Sequence, residues 1–164
     1  RDLATGLCDV VVGDEMNFAT SSHAQGLRMI PIHAEPLVLL HRIDHPSSMT
    51  HDLATLLESP LAVPSRYFNE NRLFASIMAA TGGLVVPRYR LNSLSSCLNL
   101  AGTSDVITIA PLSVAERAVQ QPQEYGLMIA AEQLDLNIRL ALFTVASNAL
   151  TPAVRAFQEA LVSR

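Results

Sequence analysis

Short, almost unbroken apolar runs take turns along this sequence with stretches whose apolar side chains recur every three or four positions. Runs of the first kind suit strands covered on both faces, and stretches of the second kind suit amphipathic helices. Strands separated by helices predict βαβ units, an α/β fold class and a mainly parallel sheet. With 164 residues, 49% of them apolar, the chain can bury one domain or two small lobes.

The individual segments are legible. "GLCDVVVG" predicts a strand ending at Gly13, and "LRMIPIH" and "PLVLLHR" predict two further strands separated by Ala34 and Glu35. "MTHDLATLLESP" sets Met49, Leu53, Leu56 and Leu57 at helical spacing, stopped by Pro60. "LAVPS" is a brief strand. In "NENRLFASIMAATGG" the helical face is Leu73, Phe74, Ile77 and Met78, with Asn69 as N-cap and Gly82 or Gly83 as the stop. "LVVPRY" predicts a strand that Pro87 sends to an edge or a bend. "SLSSCLNLAG" aligns Leu94, Cys97, Leu98 and Ala101 and ends at Gly102. "DVITIAP" is a strand, and Ser113 with Glu116 makes a capping box for the helix "SVAERAVQ". "LMIAA" and "NIRLALFTVAS" are the last strands. A closing helix has Thr151 as N-cap and Pro152 in its first position, and buries Val154, Phe157 and Leu161.

Composition removes several kinds of chemistry. All eleven cationic side chains are arginine, so no lysine exists for a Schiff base, a phosphate loop or a pyridoxal anchor. No cofactor is expected. The net charge is −4, and three arginines face eight acids across residues 1–64. A chain so charged does not grip a phosphate backbone, and no basic face stands out. The two cysteines, Cys8 and Cys97, sit far apart in apolar settings, which fits buried thiols rather than a disulfide framework. No apolar run approaches the roughly 18 residues that span a bilayer. The opening "RDLATGLCDVVVG" carries a charge pair and then Asp9, so it does not read as a secretory signal. The expected setting is the cytoplasm, with no membrane partner.

"HRIDHPSSMTH" packs three of the five histidines into eleven positions. His41 and His45 have a helical metal spacing, yet they follow a strand and run into Pro46. At strand geometry four residues span about 13 Å, too far for two ligands of one ion without a turn. The expectation is therefore a structural role in the loop and no metal site. A hydrolase would need His45 as base, Asp44 or Asp52 to orient it, and a nucleophile among Ser47, Ser48 and Ser65. The sequence has no G-x-S-x-G elbow, and catalysis is not expected.

Taken in order, the segments resemble the effector-binding domain of LysR-type transcriptional regulators. "LATGLCDVVVG" is similar to the leucine, glycine and aspartate that precede a buried strand in the family's first lobe. "LRMIPIHAEPLVLLHRIDHP" resembles its strand pair, with a glutamate before the second strand and a His-Pro turn after it. "HDLATLLESPLAVPS", "LAGTSDVITIAP" and "TPAVRAFQEAL" resemble later pieces, and the likeness covers essentially the whole chain. It implies a two-lobed, type II periplasmic-binding-protein-like fold with doubly wound, mainly parallel sheets. The self-contained alternation of residues 65–136 predicts one lobe there, with residues 1–64 and 137–164 forming the other. The family's domain opens with a strand, a helix and a second strand ahead of the piece resembling "LATGLCDVVVG", so the first lobe is expected to be truncated. The family's winged helix-turn-helix is also missing, so DNA would be contacted only through a domain absent from this chain.

The function so implied is the sensing of a small-molecule effector, an organic acid among the candidates, in a cleft between the lobes. The partner implied is a second copy: a homodimer, or a tetramer at full length. The rival is a solute-binding protein of a transporter, built on a related fold. Ligands of such folds sit against the carboxyl ends of strands and the amino ends of helices. Three places qualify: Gly13 and Asp14; Ser65, Arg66 and Tyr67, leading to Asn69; and Asn92 with Ser93. Arg66 could pair with a carboxylate effector, whereas Asp14 would repel one unless it faces away.

Overall fold

The computed structural model describes residues 3, 5–15, 26–50, 52–65, 70–83, 85–130, 134–146 and 150–162. The chain divides into two compact units, residues 1–34 with 138–164 and residues 35–137. The sequence placed the first division near residue 64. Residues 35–64 instead belong to the middle unit, because the strand at 61–64 is paired on both sides by strands of that unit.

In the first unit, β1 (Val11–Asp14) pairs antiparallel with β7 (Asn137–Val145), whose other neighbour is β2 (Leu27–Arg42). The Ala146 amide donates to the Gly26 carbonyl at 2.8 Å, tying the start of β2 to the end of β7. Leu3, Ala141 and Phe143 form the unit's apolar centre, with Cys8, Val11 and Leu27 packed against them. α5 (Pro152–Val162) starts as expected, since the Thr151 hydroxyl accepts from the Val154 amide at 3.3 Å. Val154 is buried, but Phe157 stays largely exposed, contrary to the helical-face reading.

β2 is one strand of 16 residues, not two. Pro31 and Pro36 are accommodated within it, and Pro31 lies in the half that borders β7 on the path of paired strands. The expected break at Ala34 and Glu35 is the place where the chain passes from one unit to the other. Burial changes there too: the first half is mostly exposed or half-buried, whereas Leu37 to His41 are all buried.

In the second unit β2 pairs antiparallel with β5 (Ile107–Pro111) and β6 (Leu127–Ile129). β3 (Leu61–Pro64) lies parallel to β5 and to β4 (Tyr89–Leu91). The pairing is thus mixed, and the parallel part is β4–β3–β5. The mainly parallel expectation fails because β2 and β7 carry the chain out of and back into the first unit, and they pair within the sheets rather than crossing over through helices. β4 begins at Tyr89, later than "LVVPRY" suggests, and Val86 is exposed.

The helices of this unit follow their strands. α1 (Leu53–Leu56) is one turn, capped by the Asp52 carboxylate, which accepts from the Ala54 and Thr55 amides. Met49 lies outside it and is 84% exposed, so the longer helical pattern was partly coincidence. α2 (Glu70–Thr81) buries Leu73 and Ile77 and stops at Gly82, whose φ of 69° favours glycine. Met78, expected on the buried face, is exposed. α3 (Leu94–Thr103) is capped by Ser93 and runs through Gly102 instead of ending there. α4 (Leu112–Val119) buries Ala115 and Ala118 on a core shared with Val38, Leu40, Leu98, Ala101, Ala110 and Leu127. Among the described residues no helix is long and apolar enough to cross a membrane.

Candidate effector site

Parallel strands followed by helices bring strand carboxyl ends and helix amino ends to one edge of a sheet. In the second unit that edge is made by β3, β4 and β5. Pro64, the last residue of β3, is in register with Leu91, the last of β4. Ser65 then donates twice to the Leu91 carbonyl, from its amide at 2.8 Å and from its hydroxyl at 3.1 Å. Both donors of Ser65 are committed, so its role is to clamp the two strand ends. Asn92 follows Leu91 and is exposed. Ser93 comes next as the cap of α3, its hydroxyl accepting from the Ser96 amide at 3.1 Å.

An α-helix leaves its first four amides without intrahelical acceptors and has a positive dipole end, which together favour an anion. One such end, that of α4, already holds one. Glu35 accepts from the Ser113 amide at 2.7 Å and from the Ser113 hydroxyl at 3.1 Å. The expected Ser113–Glu116 capping box does not form, because Pro111 is the cap and Ser113 lies inside the helix. Glu35 had no local signal, being 78 residues away. Among the described residues the α3 end carries its own serine cap beside the exposed Asn92, and it is the one of these two placed to meet an outside group.

The other expected positions are distributed as follows. Gly13 and Asp14 are the last residues of β1 rather than a loop after it, in register with Ala141 and Leu140, and Asp14 is buried. They belong to the first unit, while Ser65, Asn92 and Ser93 belong to the second. Arg66, Tyr67 and Asn69 lie outside the described residues.

The histidines are more tightly grouped than strand geometry suggested. A turn closed by the His45 amide on the Arg42 carbonyl, at 3.1 Å, brings the His41 and His45 rings to 5.1 Å between centroids. Their residues are only 1% and 2% exposed. His45 Nδ1 accepts from the Ser47 amide at 3.0 Å, which puts the ring proton on Nε2, facing the Asp105 carbonyl at 3.4 Å. His41 Nδ1 lies 2.8 Å from the Arg42 carbonyl and donates to it, since a carbonyl only accepts. Among the described residues no group of three or more His, Cys, Asp or Glu is placed to hold a metal ion.

A hydrolytic triad is not assembled either. Asp44 pairs with the Arg42 guanidinium, which holds its carboxyl below the usual range. Asp52 caps α1, and the His45 nitrogen that an acid would orient is occupied by the Ser47 amide. Arg42 also donates to Asp105 at 2.7 and 3.0 Å, fastening the end of β2 to the turn before β5.

Burial, first, and the neighbouring His41 and Arg42 push the His45 imidazole below its ordinary value, against a raising contribution from the Asp105 carbonyl. A lowered imidazole value means that the unfolded chain takes up a proton first. Stability from this residue is complete above about pH 6.5, the ordinary imidazole value, and is lost as pH falls from there through the folded-state value. Urea titrations should therefore show a falling midpoint between pH 7 and pH 5. The decline should be shallower in His45→Asn, whose amide oxygen can still accept from Ser47. Equal pH slopes in the two proteins would refute the assignment.

The chain matches the family model described as the LysR substrate binding domain over residues 1–164. Among solved structures it is similar to a probable transcriptional regulator from Pseudomonas aeruginosa, at 22% identity and a TM-score of 0.72, covering 99% of this chain and 51% of that one. It is also similar to the regulatory domain of CcmR from Synechocystis PCC6803 in complex with 2-PG, at 15% identity and a TM-score of 0.75, covering 99% and 76%. A third is the effector binding domain of QuiR in complex with shikimate, at 15% identity and a TM-score of 0.72, covering 99% and 74%. The chain thus spans about half the length of the Pseudomonas protein. No curated protein matches it. At such identities the structural likeness speaks for the α/β fold, and the family model, matched over residues 1–164 of the chain, settles membership: the chain belongs to the LysR substrate-binding domain family.

Proposed function

We propose that this chain is the sensing part of a LysR-type transcriptional regulator and that its effector is a small organic anion. The observation that carries the reading is the amino end of α3, set directly after β4 beside the exposed Asn92 and held in place by the Ser65 clamp. That end offers amides and positive potential to a carboxylate or a similar oxyanion. Shikimate, bound by the QuiR domain, is a carboxylate, and 2-PG is bound by the CcmR domain. Arg66, Tyr67 and Asn69 follow Ser65 in sequence, and Arg66 is assigned the charge that pairs with the ligand.

In this reading the two compact units are the lobes of a doubly wound, type II periplasmic-binding-protein-like fold, with Gly13 and Asp14 as the first lobe's candidates. The regulator works in the cytoplasm as a homodimer and reaches DNA through a separate domain. Family membership favours a regulator over a transport receptor. The test is a calorimetric titration of the protein with shikimate and a panel of small carboxylates, repeated with Asn92→Asp. A new negative charge at an exposed position should weaken an anion about tenfold, or roughly 1.4 kcal/mol, with little effect on folding. If no member of the panel binds, or if a bound acid ignores Asn92→Asp, the assignment is wrong.

A further inference from the structure

In the turn that follows β2, residues 43–50, His45 is the only buried residue. Ile43, Asp44, Pro46 and Met49 are exposed, and Ser47, Ser48 and Thr50 are half-buried. Little apolar surface therefore holds this turn to the second unit, and a segment so attached can open without the rest. Its fastening is one imidazole and a few polar contacts. The ring accepts from the Ser47 amide at Nδ1 and points Nε2 at the Asp105 carbonyl. The His45 carbonyl accepts from the Ser48 amide at 2.9 Å. Asp105 stands two residues beyond Thr103, the end of α3, so His45 joins the turn after β2 to the turn before β5.

Both ring nitrogens are in use, which makes this fastening conditional on charge. A second proton can only go to Nδ1, where two N–H groups would then face each other and the Ser47 contact would be lost. The new cation would also have unfavourable company. Among the described residues the charged and titratable groups around the ring are His41, Arg42, Asp44 and Asp105. His41 and Arg42 disfavour a positive charge on it. The Asp105 carboxylate attracts one, but Arg42 already engages both that carboxylate and the one of Asp44.

We propose that His45 is an acid-opened latch: when its ring takes a second proton, residues 43–50 come away from the turn before β5 while the strands of the second unit stay paired. In the closed turn the imidazole is held below its ordinary value, chiefly by burial, whereas in the opened turn it meets water and titrates near 6.5. The opened form therefore binds the proton first. Opening gains up to about tenfold per pH unit below 6.5, until the closed ring titrates as well. This is a local event, distinct from the loss of overall stability with falling pH.

Hydrogen exchange read by mass spectrometry, on the protein at its full natural length, tests the latch. The segment 43–50 carries five bonded amides, those of Ile43, His45, Ser47, Ser48 and Thr50. Residues 107–111, the buried strand β5, serve as the reference. Rates are corrected for the pH dependence of exchange in free amides. Protection of 43–50 should fall about tenfold between pH 7.5 and pH 5.5, and low urea should leave it unchanged, since little surface is exposed. Protection of 107–111 should respond to urea, because those amides open only with the unit. In His45→Asn the segment should show no such pH response, whether the variant turn is closed or open. The proposal is overturned if 43–50 follows urea as steeply as 107–111, which would mean that the turn opens only when the unit unfolds. A corrected rate that is flat with pH overturns it too, as does a pH response that persists undiminished in His45→Asn.

Discussion

Replacing Gly102 by alanine should destabilise the protein by about 2–3 kcal/mol, although alanine inside a helix ordinarily gains about 1 kcal/mol over glycine. A Cβ at this position would overlap the carbonyl oxygen of Tyr125 and crowd its carbonyl carbon. That backbone has little room to retreat. The Tyr125 amide is bonded to Gln121, and the next carbonyl, that of Gly126, accepts from Ile43 at 3.0 Å. Gly126 has a φ of 59°, which fixes the turn further. Helix α3 and the turn before β6 therefore approach as closely as a glycine allows. A urea midpoint for Gly102→Ala equal to or above that of the parent would show that the contact is looser than described.

Leu40→Ala should cost about 3 kcal/mol, within the range for leucines removed from closed cores. Leu40 is fully buried on β2 and packs with Leu98, Ala101, Ala110, Ala115 and Leu127. Several of these neighbours are alanines held by strand or helix backbone, so the space left behind cannot be filled by side chains swinging inward. Met49→Ala is the matching control, because that side chain is exposed and should change stability by less than about 0.5 kcal/mol. Comparable losses in the two variants would contradict the burial assigned to both.

The sequence revealed most where the cause was local. Apolar runs such as "ITIAP" and "LAVP" became fully buried strands, since every position in them is shielded. Ser93, Thr151 and Gly82 were recognisable because capping and left-handed stops depend on a few adjacent residues. What failed depended on partners far along the chain. Gly102 looks like a helix terminator until Tyr125 is placed against it. Glu35 looks like a break between strands, yet it caps a helix that begins 77 residues later. Spacing placed His41 and His45 apart, and a turn put them together. At the candidate site, Asn92 and Ser93 were legible as a helix start. The donation of both Ser65 groups to Leu91 was not, because it needs the register of β3 against β4.

The arrangement of the units along the chain bears on the order in which they form. Residues 35–137 are contiguous, so everything this unit needs has been synthesised before residues 138–164 emerge. Its strand pairings span shorter stretches of sequence than the β1–β7 pairing of the other unit, which favours their earlier closure. The other unit cannot be completed until β7 and α5 reach the opening segment across more than a hundred residues. Growth from the ribosome thus favours a middle unit that condenses first. A freshly made chain would show unpaired β1 and the leading half of β2 for longest, and that interval is when chaperones or proteases would find it.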